Sequence, residues 1–174
     1  MSVTGKKQNR GRKITIVIIG MILVIAVIGV AALAVYTSDY YRSEVDMEDY
    51  ASASNYTIEE FSEGIFVDGS GTEDAVIFYP GAKVEYIAYL PLCIRLAEQG
   101  GDCFLVEMPF HLAILGMNKA DKIMDDYSYE NWYLAGHSLG GAMAANYVSD
   151  NVDAFAGLIM LAAYPTKPLG SDDL

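Results

Sequence analysis

The chain has 174 residues, which is room for one domain of ordinary size only if nearly all of it folds together. Its 23 acidic and 11 basic residues give a net charge of −12, which argues against nucleic acid as a partner, because phosphate binding needs a basic face. Two cysteines exclude a disulfide-rich scaffold, and the sequence has no zinc-site spacing, so we expect neither a metal nor a cofactor.

A basic segment precedes a long apolar run. Residues 1–13 carry five of the basic residues, and the first acidic residue is Asp39. The run from Ile14 to Val35 contains no charge, and as a helix it would reach roughly 33 Å, enough to cross a bilayer core. By the positive-inside rule we predict a cytoplasmic N-terminus over 1–13, a single-pass signal-anchor over 14–36 in the cell membrane, and an external remainder.

Two other interpretations of the apolar run remain open. A buried core helix is rarely uncharged on every face over this length. A cleaved signal peptide is the second, because Ala32-Leu33-Ala34 resembles a small-x-small cleavage site. Against it, the apolar run exceeds the 7–15 residues usual for the core of a signal peptide. With either an anchor or a signal peptide, the rest of the chain is exported.

The next segment, residues 37–63, is rich in Ser, Asp, Glu and Tyr and has no sustained hydrophobic period. Four acidic residues fall between positions 44 and 49. This composition predicts an acidic stalk or linker that joins the span to a folded domain over residues 64–174.

From Gly64 onward, short apolar runs typical of buried strands alternate with segments of helical period. The predicted strands occupy residues 64–68, 75–79, 103–106, 132–135 and 156–163, and the predicted helices occupy residues 84–99, 118–126 and 139–149. Pro91 is expected to kink or break the first of these helices near its start. Alternation of this kind predicts a parallel sheet with helices on both faces.

The candidate nucleophile lies in Gly136-His137-Ser138-Leu139-Gly140-Gly141, between a predicted strand and a predicted helix. This context is the one that a nucleophile elbow requires, with Ser138 Oγ exposed at the N-terminus of the helix. There the backbone N–H of Leu139 can donate to a developing oxyanion. A second donor is expected from the loop after an earlier strand, and the Ala82 N–H of Pro80-Gly81-Ala82 is our candidate.

These motifs, in this order, resemble the α/β-hydrolase superfamily, and more narrowly its dienelactone-hydrolase-like bacterial branch of serine esterases with small lids. The matching pieces run from Tyr79-Pro80-Gly81-Ala82, through the elbow, to Leu161-Ala162-Ala163-Tyr164-Pro165. The resemblance implies a mostly parallel α/β-hydrolase sheet with flanking helices. It further implies a Ser-His-Asp hydrolase of a small ester-like acyl substrate, with Ser138 as nucleophile and the Leu139 and Ala82 amides as oxyanion hole.

The sequence departs from the family in its other triad members. The family order is Ser, then Asp or Glu, then His, with the base far beyond the serine. Asp172 and Asp173 sit near the expected acid position, but no predicted strand precedes them. The two histidines are His111, expected as a loop or lining residue rather than as the base, and His137, expected to pack or hydrogen-bond locally.

We therefore expect a fragment that lacks the C-terminal strands, the acid and the base, and that is inactive by itself. The alternative is a non-catalytic, membrane-tethered binding module that keeps the hydrolase scaffold. The residues do not specify the oligomeric state or the acyl and alcohol groups of the substrate.

Overall fold

The computed structural model describes residues 4–50 and 55–168 of the chain. The chain divides into two units, the first ending at Asp39 and the second beginning at Tyr40. Asp172 and Asp173, the acid candidates from the sequence, lie outside the described residues.

The first unit is a helix over Thr4–Ser38 (α1). Its part from Gly11 to Ser38 has a mean hydropathy of 3.2 over its most apolar window, and no residue of that window is buried. Among the described helices only this one is long and apolar enough to cross a membrane. Its length and composition suit either a single span or a signal sequence.

The second unit is an α/β domain built on one six-stranded sheet. The strands are Thr57–Phe61 (β1), Gly64–Asp68 (β2), Asp74–Tyr79 (β3), Asp102–Val106 (β4), Asn131–His137 (β5) and Gly157–Leu161 (β6). The α-helices are Leu90–Ala97 (α2), Lys119–Asp126 (α3) and Leu139–Asp150 (α4). Short 3₁₀ turns occupy Met47–Tyr50, Tyr86–Tyr89, Pro109–His111, Ala113–Leu115 and Val152–Ala154.

The sheet is mixed, with strand order β1-β2-β4-β3-β5-β6. Strands β3 to β6 run parallel to one another, whereas β1 and β2 form an antiparallel hairpin whose second strand pairs with β4. The predicted parallel sheet is thus confirmed for its central strands, and the hairpin makes it mixed. Tyr79 pairs with Gly136, and His137 pairs with Leu161, so the carboxyl ends of β3, β5 and β6 meet at one edge.

The central strands are buried on both faces, which explains their uninterrupted apolar runs. Along β3, Ile77 and Tyr79 belong to the core that α3 and α4 cover, whereas Val76 and Phe78 belong to the core that α2 covers. This alternation follows from the two-residue period of a strand. The domain therefore has three layers, with helices on both faces of the sheet as predicted.

The predicted helix over 84–99 is divided in the structure. A 3₁₀ turn over Tyr86–Tyr89 leads into α2, and Pro91 lies in the first turn of α2. Proline is tolerated there because the first N–H groups of a helix have no intrahelical acceptor. The expected break at this proline is confirmed.

The structure differs from the predicted connector over 37–63 in its last third. Thr57–Phe61 forms β1, the edge strand that pairs along its whole length with β2. Earlier in the segment, Met47 and Tyr50 pack against the core beneath α2. Most side chains of this edge strand are exposed, so charged residues such as Glu59 and Glu60 are tolerated there. The strand therefore shows no clear apolar period in the sequence.

Candidate active site

Ser138 stands at the turn from β5 to α4 in a conformation that few residues other than glycine adopt. Its φ is 51° and its ψ is −120°, and its side chain lies at an exposed position. A non-glycine residue held in such a region costs of order 1–3 kcal/mol, so the surrounding structure must enforce the turn. The Ser138 N–H donates to the Leu161 carbonyl of β6 at 2.9 Å, and the Ser138 carbonyl accepts the first helical N–H, from Ala142, at 3.0 Å.

The turn is enforced by backbone contacts that leave no space for a Cβ atom. A Cβ on Gly136 would lie 2.5 Å from the carbonyl carbon of Gly140. A Cβ on Gly140 would lie 2.2 Å from the carbonyl oxygen of Tyr79 and 2.3 Å from that of Pro80. The start of α4 thus packs directly against the end of β3 and the loop that follows it. This loop, residues 80–85, carries the predicted donor Ala82, and we call it the oxyanion loop.

Two backbone donors remain unengaged on these adjoining segments. Within the described part of the chain, neither the N–H of Leu139 nor that of Ala82 donates a hydrogen bond. Leu139 is the first residue of α4, where N–H groups point outward and the helix dipole favours negative charge. The sequence predicted both of these donors, and their catalytic role remains a prediction.

His137 is connected to the oxyanion loop through the hydroxyl of Tyr89. Its Nδ1 lies 2.9 Å from the Tyr89 hydroxyl, and that hydroxyl accepts the Gly81 N–H at 3.2 Å. Burial raises the pKa of the Tyr89 phenol. The local hydrogen bond expected of His137 is confirmed. Tyr89 itself carries no motif and was not found from the sequence.

His111 lies against a different partner. Its ring stacks on Tyr40 with centroids 3.9 Å apart. Across the described residues, no side chain hydrogen-bonds Ser138 Oγ. The structure therefore brings the nucleophile candidate and both candidate oxyanion donors to one edge of the sheet, but neither histidine is hydrogen-bonded to Ser138 Oγ.

The outer part of the oxyanion loop is held by two other segments. Lys83, with φ 56°, donates its N–H to the His111 carbonyl at 2.8 Å and accepts the Tyr41 N–H at 2.8 Å. Glu85 donates its N–H to the Tyr41 carbonyl at 2.9 Å, and its carboxylate accepts the Ser43 N–H at 2.7 Å. We call residues 40–43 the tether. The sequence predicted an acidic stalk or linker for these residues, because Tyr41 and Ser43 are hydrogen-bonded to the loop through backbone groups, which leave no residue pattern.

A cavity of about 490 Å³ opens near the same edge of the sheet. It is lined by residues 114–119 together with Glu63 and Lys122. Lys119 and Glu63 form an ion pair at 2.8 Å across it. Ser138 does not line this cavity, and its side chain is exposed.

Comparison with known proteins agrees with this architecture. Residues 75–173 match the sequence profile described as the alpha/beta hydrolase family. Similar solved structures include a bacterial heroin esterase, with 18% identity and a TM-score of 0.51 over 68% of this chain and 48% of that one. Another is carboxyl esterase 2 from the mycorrhizal fungus Tuber melanosporum, with 11% identity and a TM-score of 0.54 over 72% of this chain and 49% of that one.

At these identities the likeness concerns the fold, and the chain spans about half the length of the solved structures it matches. No curated protein matches the chain.

The close contact at Gly136 generates a stability prediction. Gly136→Ala places a Cβ inside the backbone of α4, so the turn must shift, and overpacking of this kind costs roughly 1–3 kcal/mol. We expect the melting temperature of the chain in detergent to fall by about 4–8 °C for a loss of about 2 kcal/mol. The fluorescence of Trp132, the single and buried tryptophan, reports the transition.

Gly101→Ala is the matched control, because the nearest atom to its Cβ would lie 3.8 Å away. Its effect should stay within about 0.5 kcal/mol. Equal melting temperatures for the two variants would contradict the proposed enforcement of the turn.

Proposed function

The chain belongs to the alpha/beta hydrolase family, and we propose that it is a membrane-anchored serine hydrolase that cleaves an ester-like acyl substrate. The observation that carries the proposal is the exposed, strained Ser138 at the β5–α4 turn, next to two unengaged backbone donors. The two similar structures named above are those of esterases, which supports an ester as the substrate class.

In the proposed reaction, Ser138 Oγ attacks the substrate carbonyl carbon and loses its proton to a base. The carbonyl oxygen becomes an oxyanion, which accepts hydrogen bonds from the Leu139 and Ala82 N–H groups. Collapse of this intermediate expels the alcohol and leaves an acyl-serine, which water then hydrolyses. Loss of one oxyanion donor typically costs about 10²–10³ in kcat, so these two donors would carry a large share of the catalysis.

Neither histidine of the chain is hydrogen-bonded to Ser138 as the general base of a serine hydrolase would be. His137 is bonded to Tyr89 and His111 is stacked on Tyr40, and the sequence has no other histidine. Removal of the base from a serine triad costs roughly 10⁶ in kcat. We infer that this polypeptide by itself turns over poorly. The same observation favours a second candidate function, a membrane-tethered binding module that retains the scaffold without catalysis.

A chemical rescue separates the two functions. Imidazole added to the solution can act as the general base that Ser138 lacks. We expect it to accelerate labelling of the 174-residue chain by a fluorophosphonate, and we expect Ser138→Ala to lose that acceleration completely. Mass spectrometry of the tryptic peptides identifies the labelled residue.

The matched control is Ser128→Ala, which removes another exposed serine outside the elbow. It should label as fast as the parent chain. Labelling that is unaffected by Ser138→Ala would exclude Ser138 as nucleophile, and the absence of any rescue would favour the binding module.

The domain boundaries and topology are part of the proposal. We infer that residues 1–13 are cytoplasmic, that residues 14–36 span the membrane as a retained anchor, and that the hydrolase domain lies outside. Five basic residues precede the span, and the first acidic residue of the chain is Asp39. This charge distribution supports the orientation. The uncharged run of this helix from Ile14 to Val35, in which no residue is buried, supports the span itself.

Protease added to intact cells tests the topology. We expect it to digest the domain while the chain remains in the membrane pellet after carbonate washing, because the apolar helix holds it there. Protection of the domain from protease would contradict the orientation. A soluble chain with a new N-terminus near Tyr36 would show that the apolar segment is a cleaved signal.

A further inference from the structure

The exposed large apolar side chains of the second unit lie mostly at the carboxyl ends of the parallel strands, where Ser138 also lies. Those at least 37% exposed in its described residues are Tyr41, Phe110, Ile114, Leu115, Ile159, Leu161 and Tyr164. All but Ile159 lie at the end of a parallel strand, in the loop that follows it, or on the tether that pairs with such a loop. Because the carboxyl ends of parallel strands share one edge of a sheet, these side chains lie on the Ser138 edge. We call Tyr41, Phe110, Ile114 and Leu115 the apolar rim.

Part of the rim is presented by a strained loop. Phe110 and His111 have successive positive φ values of 53° and 55°, which is uncommon for residues other than glycine. The conformation is held by the bond from the Lys83 N–H to the His111 carbonyl, yet the Phe110 ring remains 51% exposed. Backbone strain at a residue whose aromatic ring stays exposed does not stabilise the core. It is typical of a surface that contacts another molecule.

Only a short stretch of chain separates the end of the apolar helix from the hydrogen bond between the tether and the oxyanion loop. Helix α1 ends at Ser38, and Tyr41 is bonded to the oxyanion loop only three residues later. Three extended residues span at most about 11 Å. If α1 crosses a bilayer, the chain itself keeps the oxyanion loop near the surface of that bilayer, whatever the angle between helix and domain.

We infer that the Ser138 edge of the domain docks on the bilayer through the apolar rim, and that its substrate is an acyl ester resident in the membrane. This inference rests on the proposed anchor and on the proposed hydrolase function. From residue 37 onward the chain carries six basic and 23 acidic residues, so attraction to anionic lipids does not drive the docking. The apolar contact does, and it should persist on zwitterionic vesicles at high salt.

Depth measurements on the full chain in phosphatidylcholine vesicles test the docking. A nitroxide is attached at Ile114→Cys on the rim, and a matched one at Asp153→Cys, an exposed position before β6 and so at the opposite sheet edge. The native cysteines are buried, and labelling of the parent chain gives their background. We expect oxygen to collide more with the nitroxide at 114 and a water-soluble nickel chelate to collide more with that at 153. Equal, water-like readings at both sites would overturn the inference.

The substrate class is tested with imidazole present, by comparing Ser138-dependent hydrolysis of a vesicle-embedded long-chain p-nitrophenyl ester with that of soluble p-nitrophenyl acetate. A higher rate for the embedded ester, reduced by the pair Ile114→Ser and Leu115→Ser while the rate for the acetate is kept, supports the inference. Preference for the acetate overturns it. If neither ester is hydrolysed, the proposed hydrolase function is wrong. That failure is distinguishable from a failure of the docking inference, because the nitroxide readings do not depend on catalysis.

Discussion

The backbone contact between the start of α4 and the end of β3 is the constraint on which the candidate site depends. Gly140 lies so close to the Tyr79 and Pro80 carbonyls that no side chain fits between them. That contact holds Ser138 in its costly conformation and also sets the elbow beside the loop that carries Ala82. One packing interaction thus places the nucleophile candidate and both candidate oxyanion donors, and the sheet provides the stability that offsets the strain.

The same loop links the site to the rest of the molecule. On its inner side, Gly81 is bonded to Tyr89 and through it to His137. On its outer side, Lys83 is bonded to the tether and to the loop after β4. A movement of the tether would therefore reach residues 83 and 85 through hydrogen bonds.

The sequence predicted correctly those features of the fold that depend on local residue patterns. The elbow, the central parallel strands and the break at Pro91 all follow from short-range signals, namely small residues at a turn, apolar runs, and a missing N–H. The features it did not reveal depend on partners distant in the chain. Tyr89 acts only through Gly81 and His137, and β1 is recognisable only once it pairs with β2.

The most direct measurement of the central claim is a crystal structure of the full chain after imidazole-assisted reaction with a fluorophosphonate. We predict a phosphorus bonded to Ser138 Oγ, with one phosphoryl oxygen about 2.7–3.1 Å from the backbone nitrogens of both Leu139 and Ala82. An adduct on another residue would contradict the claim. An adduct on Ser138 whose phosphoryl oxygens contact neither nitrogen would contradict it equally.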